Sequence, residues 1–300
     1  MTSFERYGII KKVRKSSNDY RRKEETELSI IYEHWKYIVK HIWFVLPFAL
    51  IPSLFLALTI DYAGIAEFFG GLFTGKPVTD FSDIYSVWSL IDFDSALKII
   101  YGVCAILTTI VAVELLLAFV EKHMRIGKRT LSGLWEQFFG HVLPVLFTIL
   151  LAFAAYEIWA LVLSAMLYAV AAIESAVAVA LLSFLVIIIF LAVMVYVISI
   201  FYLWLPCMLM TGFGPYHALL YSYQLVVGVR GKLILSILMS FVPALLLFLG
   251  ISFLPTFVAT IFGFIFIVVL FLSFCVRMET FYFETDKLDR EDLLRSYLEL

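Results

Sequence analysis

One carboxylate stands inside a long apolar run of this sequence. Glu114 lies in TTIVAVELLLAFVEKH, about two helical turns before Glu121. If this run crosses a membrane, an ionised carboxylate near its centre costs on the order of 2.5 to 3.5 kcal/mol on insertion scales. The side chain is then expected to face other helices or water, where it could bind a proton or a cation and couple that binding to transport. The alternative is a structural hydrogen bond to a backbone, serine, threonine or basic partner near the interface.

Two further carboxylates, Glu157 and Glu174, flank the apolar segment IWALVLSAMLYAVAAI. A compact turn in this segment would bring them together at the outer surface and form a site for a cation or a cationic substrate. Two carboxylates in water at a membrane interface need no such function, so both interpretations are open.

Histidine and cysteine, which often bind metals or act as nucleophiles, show no catalytic spacing here. The three cysteines lie inside apolar runs without the spacing of a metal or redox site: Cys104, Cys207 and Cys275. The five histidines lie at the edges of such runs without an HExxH or comparable pair: His34, His41, His123, His141 and His217. No GxSxG nucleophile motif occurs. We therefore expect no catalytic residue, metal site or cofactor, and a protein that is not an enzyme; a lipid-modifying enzyme built on the histidines with Glu121 and Glu136 is the less favoured alternative.

The N-terminal region carries a basic tract that could contact lipid headgroups: Lys11, Lys12, Arg14, Lys15, Arg21, Arg22 and Lys23. Each such charge near an anionic leaflet contributes about 1 kcal/mol to membrane binding. The alternative is that the tract only sets the orientation of the chain in the membrane. Nucleic acid is not an expected partner, because the tract is short and lies beside an apolar run.

The composition requires a membrane around most of the chain. Of 300 residues, 63% are hydrophobic and only 15% are charged, and the mean hydropathy is +1.00. Runs long enough to cross a hydrocarbon core of about 30 Å occur near 38–60, 97–120, 142–164, 176–205, 233–253 and 256–276. Only a helix satisfies its own backbone in lipid within one segment, and these runs lack the alternation of barrel strands. The fold class is therefore all-α, a polytopic membrane protein with six transmembrane helices.

The basic residues predict how these helices are oriented. Twenty of 22 Lys and Arg residues lie in 1–40, 121–141, 206–232 and 277–300. The positive-inside rule places all four stretches in the cytoplasm if the almost unbroken apolar region 142–210 holds two spans, either long and tilted or joined by a turn along the outer leaflet. Both termini are then cytoplasmic, and the protein is a multi-pass protein of the plasma membrane. The chain divides into a basic segment with an amphipathic helix (1–36), a six-helix membrane domain (37–276) with an outer loop (61–96), and a cytoplasmic tail (277–300).

Residues 214–228, GPYHALLYSYQLVVG, predict a short amphipathic helix with Pro215 in its first turn and Gly228 as its C-cap. Its apolar face is formed by Tyr216, Leu219, Leu220, Tyr223, Val226 and Val227. At about 21 Å it is too short to cross the membrane, so it is expected to lie in the cytoplasmic interface. LSIIYEHW (28–35) and LSGLWEQF (131–138) resemble each other and precede other spans. Together they predict a threefold unit of interfacial helix followed by a two-helix hairpin.

Within that segment, Gly214, Ala218, Leu219, Ser222, Leu225 and Gly228 resemble the "G…AL..S..L..G" signature of the glycerophosphoryl diester phosphodiesterase membrane-domain family and related uncharacterised bacterial inner-membrane proteins. The segment METFYFETDKLDREDL (278–293) is similar to the aromatic and charged stretch that follows the last span in that family. The sequence departs from the signature where Leu220 and Tyr221 replace a basic pair and Tyr223 replaces a tryptophan. The 300 residues do not include the phosphodiesterase domain that some members carry. The resemblance therefore implies an integral membrane scaffold, without hydrolase activity.

These features favour a non-enzymatic membrane protein that acts as an accessory or scaffold subunit or in membrane-envelope homeostasis. Acidic and aromatic residues alternate in the outer loop, which suggests a folded cap. The expected partners are anionic membrane lipids and a protein that binds the outer loop or the cytoplasmic helices. The alternative is a small transporter of a small molecule, an ion or a lipid, with Glu114 as its coupling residue. The substrate, the partner and the oligomeric state do not follow from the sequence.

Overall fold

The computed structural model describes residues 27–75, 77–91, 95–129 and 131–293, with side chains from residue 32 onward. The described residues contain nine helices and no strand: α1 (Glu27–Thr59), α2 (Tyr62–Thr74), α3 (Phe81–Trp88), α4 (Ala96–Ile126), α5 (Leu134–Ala171), α6 (Ala176–Phe201), α7 (Trp204–Thr211), α8 (Pro215–Ser252) and α9 (Thr256–Thr285).

Six helical segments are long and apolar enough to cross a membrane, which confirms the predicted all-α, six-span architecture. They are α1, α4, α5, the continuous α6–α7 pair, α8 and α9. The ambiguous apolar region holds two spans, α5 and α6–α7, joined by a short turn after Ala171. At 38 residues each, α5 and α8 measure about 57 Å, so each extends well beyond a hydrocarbon core of about 30 Å or crosses it at a tilt.

The six spans form a ring in chain order. Each span contacts the next, and α9 contacts α1 to close the ring, while contacts between α4 and α9 cross it. We call the end at which α1 begins and α9 ends the terminus end, and the opposite end, which carries α2 and α3, the cap end. This arrangement brings the first and last spans of the sequence side by side, so a site between them uses residues about 240 positions apart, such as His34 and Arg277.

Small side chains line the contacts between the spans. The buried polar residues of the bundle include many serines: Ser53, Ser164, Ser183, Ser199, Ser222, Ser236, Ser252 and Ser273. Large apolar side chains such as Trp43, Leu246 and Phe257 are exposed on the outside. This is the pattern of a membrane protein, in which small residues let helices approach closely and large ones face lipid.

The segment between the first two spans folds into a cap. Phe68 and Leu72 of α2 pack with Ile84 and Trp88 of α3 against one side of the α5–α6 hairpin. At the start of α2, the ring of Tyr62 stacks near Phe248 of α8 and lies directly over Gly263 of α9, where a side chain would collide with it. The cap therefore joins both halves of the bundle at this end.

The short helix predicted at 214–228 is not separate. Residues from Pro215 to Ser252 form one helix, and Gly228 lies in its interior instead of capping it. A glycine inside a helix costs only about 1 kcal/mol relative to alanine, and the following residues are compatible with a helix, so nothing ends it there. The same holds for LSIIYEHW, which lies within α1 from residue 28, and for LSGLWEQF, which runs into α5. The predicted interfacial helices are therefore the ends of longer helices.

The buried face of this part of α8 also differs from the prediction. Ala218 and Ser222 are buried against the bundle, whereas Tyr216 and Tyr223 are exposed. The reason is that helices in a membrane pack through small residues and turn aromatic side chains outward.

Two spans are interrupted in the half of the bundle nearer the terminus end. His41 has non-helical dihedral angles (φ −122°, ψ 18°) and kinks α1. The chain leaves the helix again at Tyr202 and Leu203, between α6 and α7. Pro206 explains the second break, because it has no N–H to donate to the carbonyl group of Tyr202 four residues earlier.

The last helix is longer than predicted. It continues to Thr285, past the predicted end of the last span at 276.

Candidate functional site

Ionisable residues are buried together in the terminus half of the bundle. They come from α1, α4 and α9 and form what we call the polar cluster: His34, Tyr37, His41, Glu121, His123, Arg277 and Glu279. Glu114 lies on α4 about 10 Å deeper in the bundle than Glu121, since seven residues separate them along one helix. Ionisable side chains inside a membrane domain are rare and usually mark a site of function.

A tyrosine and two histidines link α1 to α4. The hydroxyl group of Tyr37 and Nδ1 of His123 form a 2.8 Å hydrogen bond. The ring of His41 lies 4.6 Å from that of His123 and 4.7 Å from that of Tyr37, between centroids. Nδ1 of His41 is buried and has no hydrogen-bond partner among the described residues. The residue at the kink of α1, His41, therefore belongs to this group of three side chains. Two of the three are histidines, which exchange protons near neutral pH.

Glu114 is 1% exposed, and neither carboxylate oxygen has a hydrogen-bond partner in the part of the chain that the structure describes. Its neighbours on α4 are the buried apolar residues Val113, Leu116 and Leu117. The structure thus offers no support for the alternative of a structural hydrogen bond. An ionised carboxylate in this position would be both buried and unpaired, which costs several kcal/mol, so a bound proton or cation is needed to offset that cost.

Glu279 is a second buried carboxylate of this kind, and no local sequence pattern marks it. It is almost fully buried on α9, and both its oxygens lack a partner among the described side chains and backbone groups. It lies within electrostatic range of Glu121 on α4. Glu121 is itself satisfied, because it accepts a 3.0 Å hydrogen bond from Nε2 of Gln137 and forms an ion pair with Nε of Arg125 at 3.3 Å.

Arg277 is 2% exposed, and its hydrogen bonds within the described ranges go to one histidine and two serine side chains. Its Nη2 donates to Nε2 of His34 at 3.1 Å, to Oγ of Ser273 at 2.8 Å, and to Oγ of Ser240. The sequence predicts that Arg277 belongs to the tail, because it directly follows the last apolar run. Its burial depends on α1 and α8, which no local pattern reveals.

A second buried arginine fastens the C-terminal segment to α1. Arg290 donates from Nη1 to Glu33 at 3.2 Å and from Nη2 to Asp292 at 2.9 Å. Burial acts to lower the pKa of Arg290, but its hydrogen bonds and the charges of Asp292 and Glu33 more than offset this and raise it. Close by, Asp286 accepts hydrogen bonds from Tyr221 at 2.6 Å and Tyr282 at 3.0 Å. These contacts hold the terminus end together.

The structure does not bring Glu157 and Glu174 together. Glu157 accepts hydrogen bonds from the hydroxyl groups of Tyr85 (2.8 Å) and Ser89 (3.0 Å) and from the backbone N–H of Leu90 (3.0 Å). Glu174 is exposed in the turn between α5 and α6, whereas Glu157 lies about 21 Å from the end of α5. The two carboxylates are separated because α5 continues as a helix to Ala171. Glu157 is an anchor for the cap.

The remaining predicted positions have other surroundings. The basic tract from Lys11 to Lys23 lies outside the described residues. In the family signature, Gly214 is the N-cap of α8, Ala218 and Ser222 are buried, Leu219 and Leu225 are half-buried, and Gly228 is exposed. Within the described ranges, no three His, Cys, Asp or Glu side chains converge as ligands for a metal ion.

No family model, curated protein or solved structure matches this chain. The resemblance to the phosphodiesterase membrane-domain family therefore stays a prediction. What is established is an integral membrane protein with six helices able to span the membrane, whose terminus half buries two carboxyl groups, Glu114 and Glu279, that have no hydrogen-bond partner in the described part of the chain.

Proposed function

We propose that the protein is a small membrane transporter that couples the movement of its substrate to proton binding at Glu114. The observation that carries this proposal is the burial of both Glu114 oxygens without a hydrogen-bond partner among the described residues. A carboxyl group in such a place is stable when it holds a proton and unstable when it does not. Loss or gain of the proton therefore favours different conformations of the bundle, which is the requirement for coupling.

The interrupted spans support the same function. Substrate sites of secondary transporters are typically formed by discontinuous helices near the centre of the fold. Here the α6–α7 break at Tyr202 and the kink of α1 at His41 lie in the half of the bundle that contains the buried polar side chains. Breaks in these positions give the helices places to bend when the bundle changes shape.

The side chains between Glu114 and the terminus end supply a means of proton entry. Tyr37, His41 and His123 are in mutual contact, and Glu279 and Glu121 lie within electrostatic range of each other. We infer that protons reach Glu114 from the terminus end, which is predicted from the positive-inside rule to be cytoplasmic.

The protonation of Glu114 is the first point to test. Infrared difference spectra of the protein in lipid should show the C=O band of protonated carboxylic acids, and this band should lose intensity in Glu114→Gln; Glu279→Gln identifies the part that comes from the second buried carboxyl group. Reconstituted vesicles are then tested with a panel of candidate substrates: carboxylates, phosphate esters, amines and amino acids. Any proton movement that a substrate drives in the wild type should be lost in Glu114→Gln. Glu136→Gln is the matched control, since Glu136 is an exposed carboxylate of the terminus end. An acid band that is unchanged in Glu114→Gln, or proton movement that is unchanged in this variant, contradicts the proposal.

A second candidate function, an accessory or scaffold subunit of a bacterial plasma-membrane assembly, is favoured by the outer part of the α5–α6 hairpin. It carries apolar side chains that the cap leaves exposed: Ile158, Leu161, Val162, Val177, Leu181, Leu185 and Ile188. Extraction into native lipid discs, followed by mass spectrometry of the co-purified material, tests this function. A stoichiometric protein partner that is lost when Leu161 and Leu181 are changed to serine supports the subunit; a chain that purifies alone favours the transporter.

A further inference from the structure

Two arginines are buried to almost the same degree in this bundle, but only one has a counter-charge. Arg290 is 4% exposed and pairs with Glu33 and Asp292. Arg277 is 2% exposed, and no carboxylate of the described chain forms an ion pair with it. Its Nε is buried and has no hydrogen-bond partner among the described residues. The closest acidic residue in sequence, Glu279, is two positions along α9 and therefore on another side of the helix.

The partners of Arg277 cannot replace a counter-charge. His34, Ser240 and Ser273 are neutral or weakly basic groups, and they all receive hydrogen bonds from the same nitrogen, Nη2. Buried arginines in proteins are normally paired, because an unpaired buried charge costs several kcal/mol. A guanidinium group has five N–H donors in a planar fork that matches the two oxygens of a carboxylate or a phosphate.

Arg277 also lies where several segments of the bundle meet. Its three partners come from α1, α8 and α9, and the phenol of Tyr202, at the break between α6 and α7, interacts with it electrostatically. The guanidinium group thus lies next to the one described break that separates two helices within a span. Movement at this break would change the surroundings of Arg277 directly.

We propose that Arg277 is the centre of a binding site for an oxyanion, a phosphate or carboxylate group, which takes the place of the Ser240 and Ser273 hydroxyl groups on the guanidinium. His34 is a positioning residue that holds the guanidinium from α1. If the bound oxyanion is the transported substrate, the inference rests on the proposed function, and the substrate is an anion that moves together with a proton. As a statement about binding, it stands on the geometry of Arg277 alone.

Binding is measured on the full chain in a phosphate-free maltoside detergent, by calorimetric titration with three probes. Inorganic phosphate and acetate represent soluble anions, and phosphatidylglycerol presents its phosphate as a lipid headgroup. We expect at least one probe to bind, and the affinity to fall by about thirtyfold or more in Arg277→Gln, since loss of a buried charged partner typically has effects of this size. The probe that binds shows whether the oxyanion belongs to a soluble anion or to a lipid headgroup. Arg230→Gln is the control, because Arg230 is a half-buried arginine of α8 that stacks on Tyr196 and Tyr223.

If Arg277→Gln does not fold, judged by gel filtration and thermal unfolding, Arg277→Lys replaces it and should still weaken binding, because it keeps the charge but loses the planar fork of donors. The inference is overturned if none of the three probes binds the wild-type protein, or if the variants bind as tightly as wild type does. Failure of the proposed function looks different. In that case anion binding still depends on Arg277, but vesicles show no proton movement that depends on Glu114.

Discussion

The hydroxyl group of Tyr85 donates a 2.8 Å hydrogen bond to Oε2 of Glu157, 72 positions further along the chain. Ser89 and the backbone of Leu90 donate to the same carboxylate, so three donors of the cap converge on one side chain of α5. The pKa of Tyr85 is raised, mainly by burial and secondly by the hydrogen bond to Glu157, so the phenol keeps the proton that it donates. The cap is thus fixed to the bundle by a charged acceptor as well as by apolar packing.

Removing this acceptor should loosen the cap. We expect Glu157→Ala to destabilise it by about 1.5 to 3 kcal/mol, the usual contribution of a hydrogen bond to a charged group. Hydrogen exchange of the amides in α3 should become faster, while exchange in α1 and α9 stays as it was. Glu174→Ala is the control, because Glu174 is an exposed carboxylate at the tip of the same hairpin. Unchanged exchange in α3 of Glu157→Ala would show that apolar packing alone holds the cap.

The ion pairs of Arg290 should stabilise the whole terminus end. Arg290→Met leaves Glu33 and the buried side chain of Asp292 without their counter-charge, and breaking a buried pair in this way costs about 3 to 5 kcal/mol. Arg125→Met removes a pair whose arginine side chain is 62% exposed but whose Glu121 side chain is 6% exposed. Because Glu121 keeps its hydrogen bond from Gln137, this change should cost less, about 1 to 3 kcal/mol. Thermal unfolding in detergent compares the two. Equal midpoints would mean that the C-terminal segment contributes little to the folded state.

The sequence predicts the elements of this protein better than its contacts. Hydropathy and charge give six spans, and Glu114 is recognisable because it is isolated in an apolar run. Arg277 and Glu279 are not recognisable in this way, because they follow the last apolar run and are buried only by the packing of α9 against α1, α4 and α8. Glu157 shows the same limit, since its function depends on Tyr85 in a distant segment. Likewise, nothing near Gly228 indicates locally that α8 continues through it.

The buried carboxyl group of Glu114 should lower the stability of the folded bundle, because it has no hydrogen-bond partner among the described residues. We expect Glu114→Leu to raise the free energy of unfolding by about 1 to 3 kcal/mol, the cost of a buried polar group without a partner, while it removes any activity that needs the carboxyl group. Glu136→Leu, at an exposed site of α5, should change the stability by no more than about 0.5 kcal/mol. Thermal unfolding with and without lipid measures both. A Glu114→Leu protein less stable than wild type would indicate that Glu114 has a structural partner after all.

The contact between Tyr62 and Gly263 predicts a clash that can be relieved. A β-carbon on Gly263 would collide with the Tyr62 hydroxyl group, which is buried without a hydrogen-bond partner among the described residues. Gly263→Ala should therefore destabilise the protein by about 1 to 3 kcal/mol, as overpacking does. Adding Tyr62→Phe removes the closest atom but leaves two ring carbons within 3.0 Å of the added β-carbon, so it should restore part of this loss. Gly250→Ala is the control: no atom lies near its added β-carbon, so it should stabilise α8 by up to about 1 kcal/mol. If Tyr62→Phe gives no rescue, the two helices do not meet at this point.

The orientation of the bundle can be read from one cysteine on each end. If the basic stretches lie in the cytoplasm, the cap lies outside. Thr79 is exposed in the cap, and Ser132 is exposed between α4 and α5 at the terminus end. In a background with Cys104, Cys207 and Cys275 replaced by alanine, Thr79→Cys should react with an impermeant maleimide in intact cells. Ser132→Cys should react only after the membrane is permeabilised. The reverse pattern would place the terminus end outside, and the polar cluster would then face the opposite compartment from the one that our proton path requires.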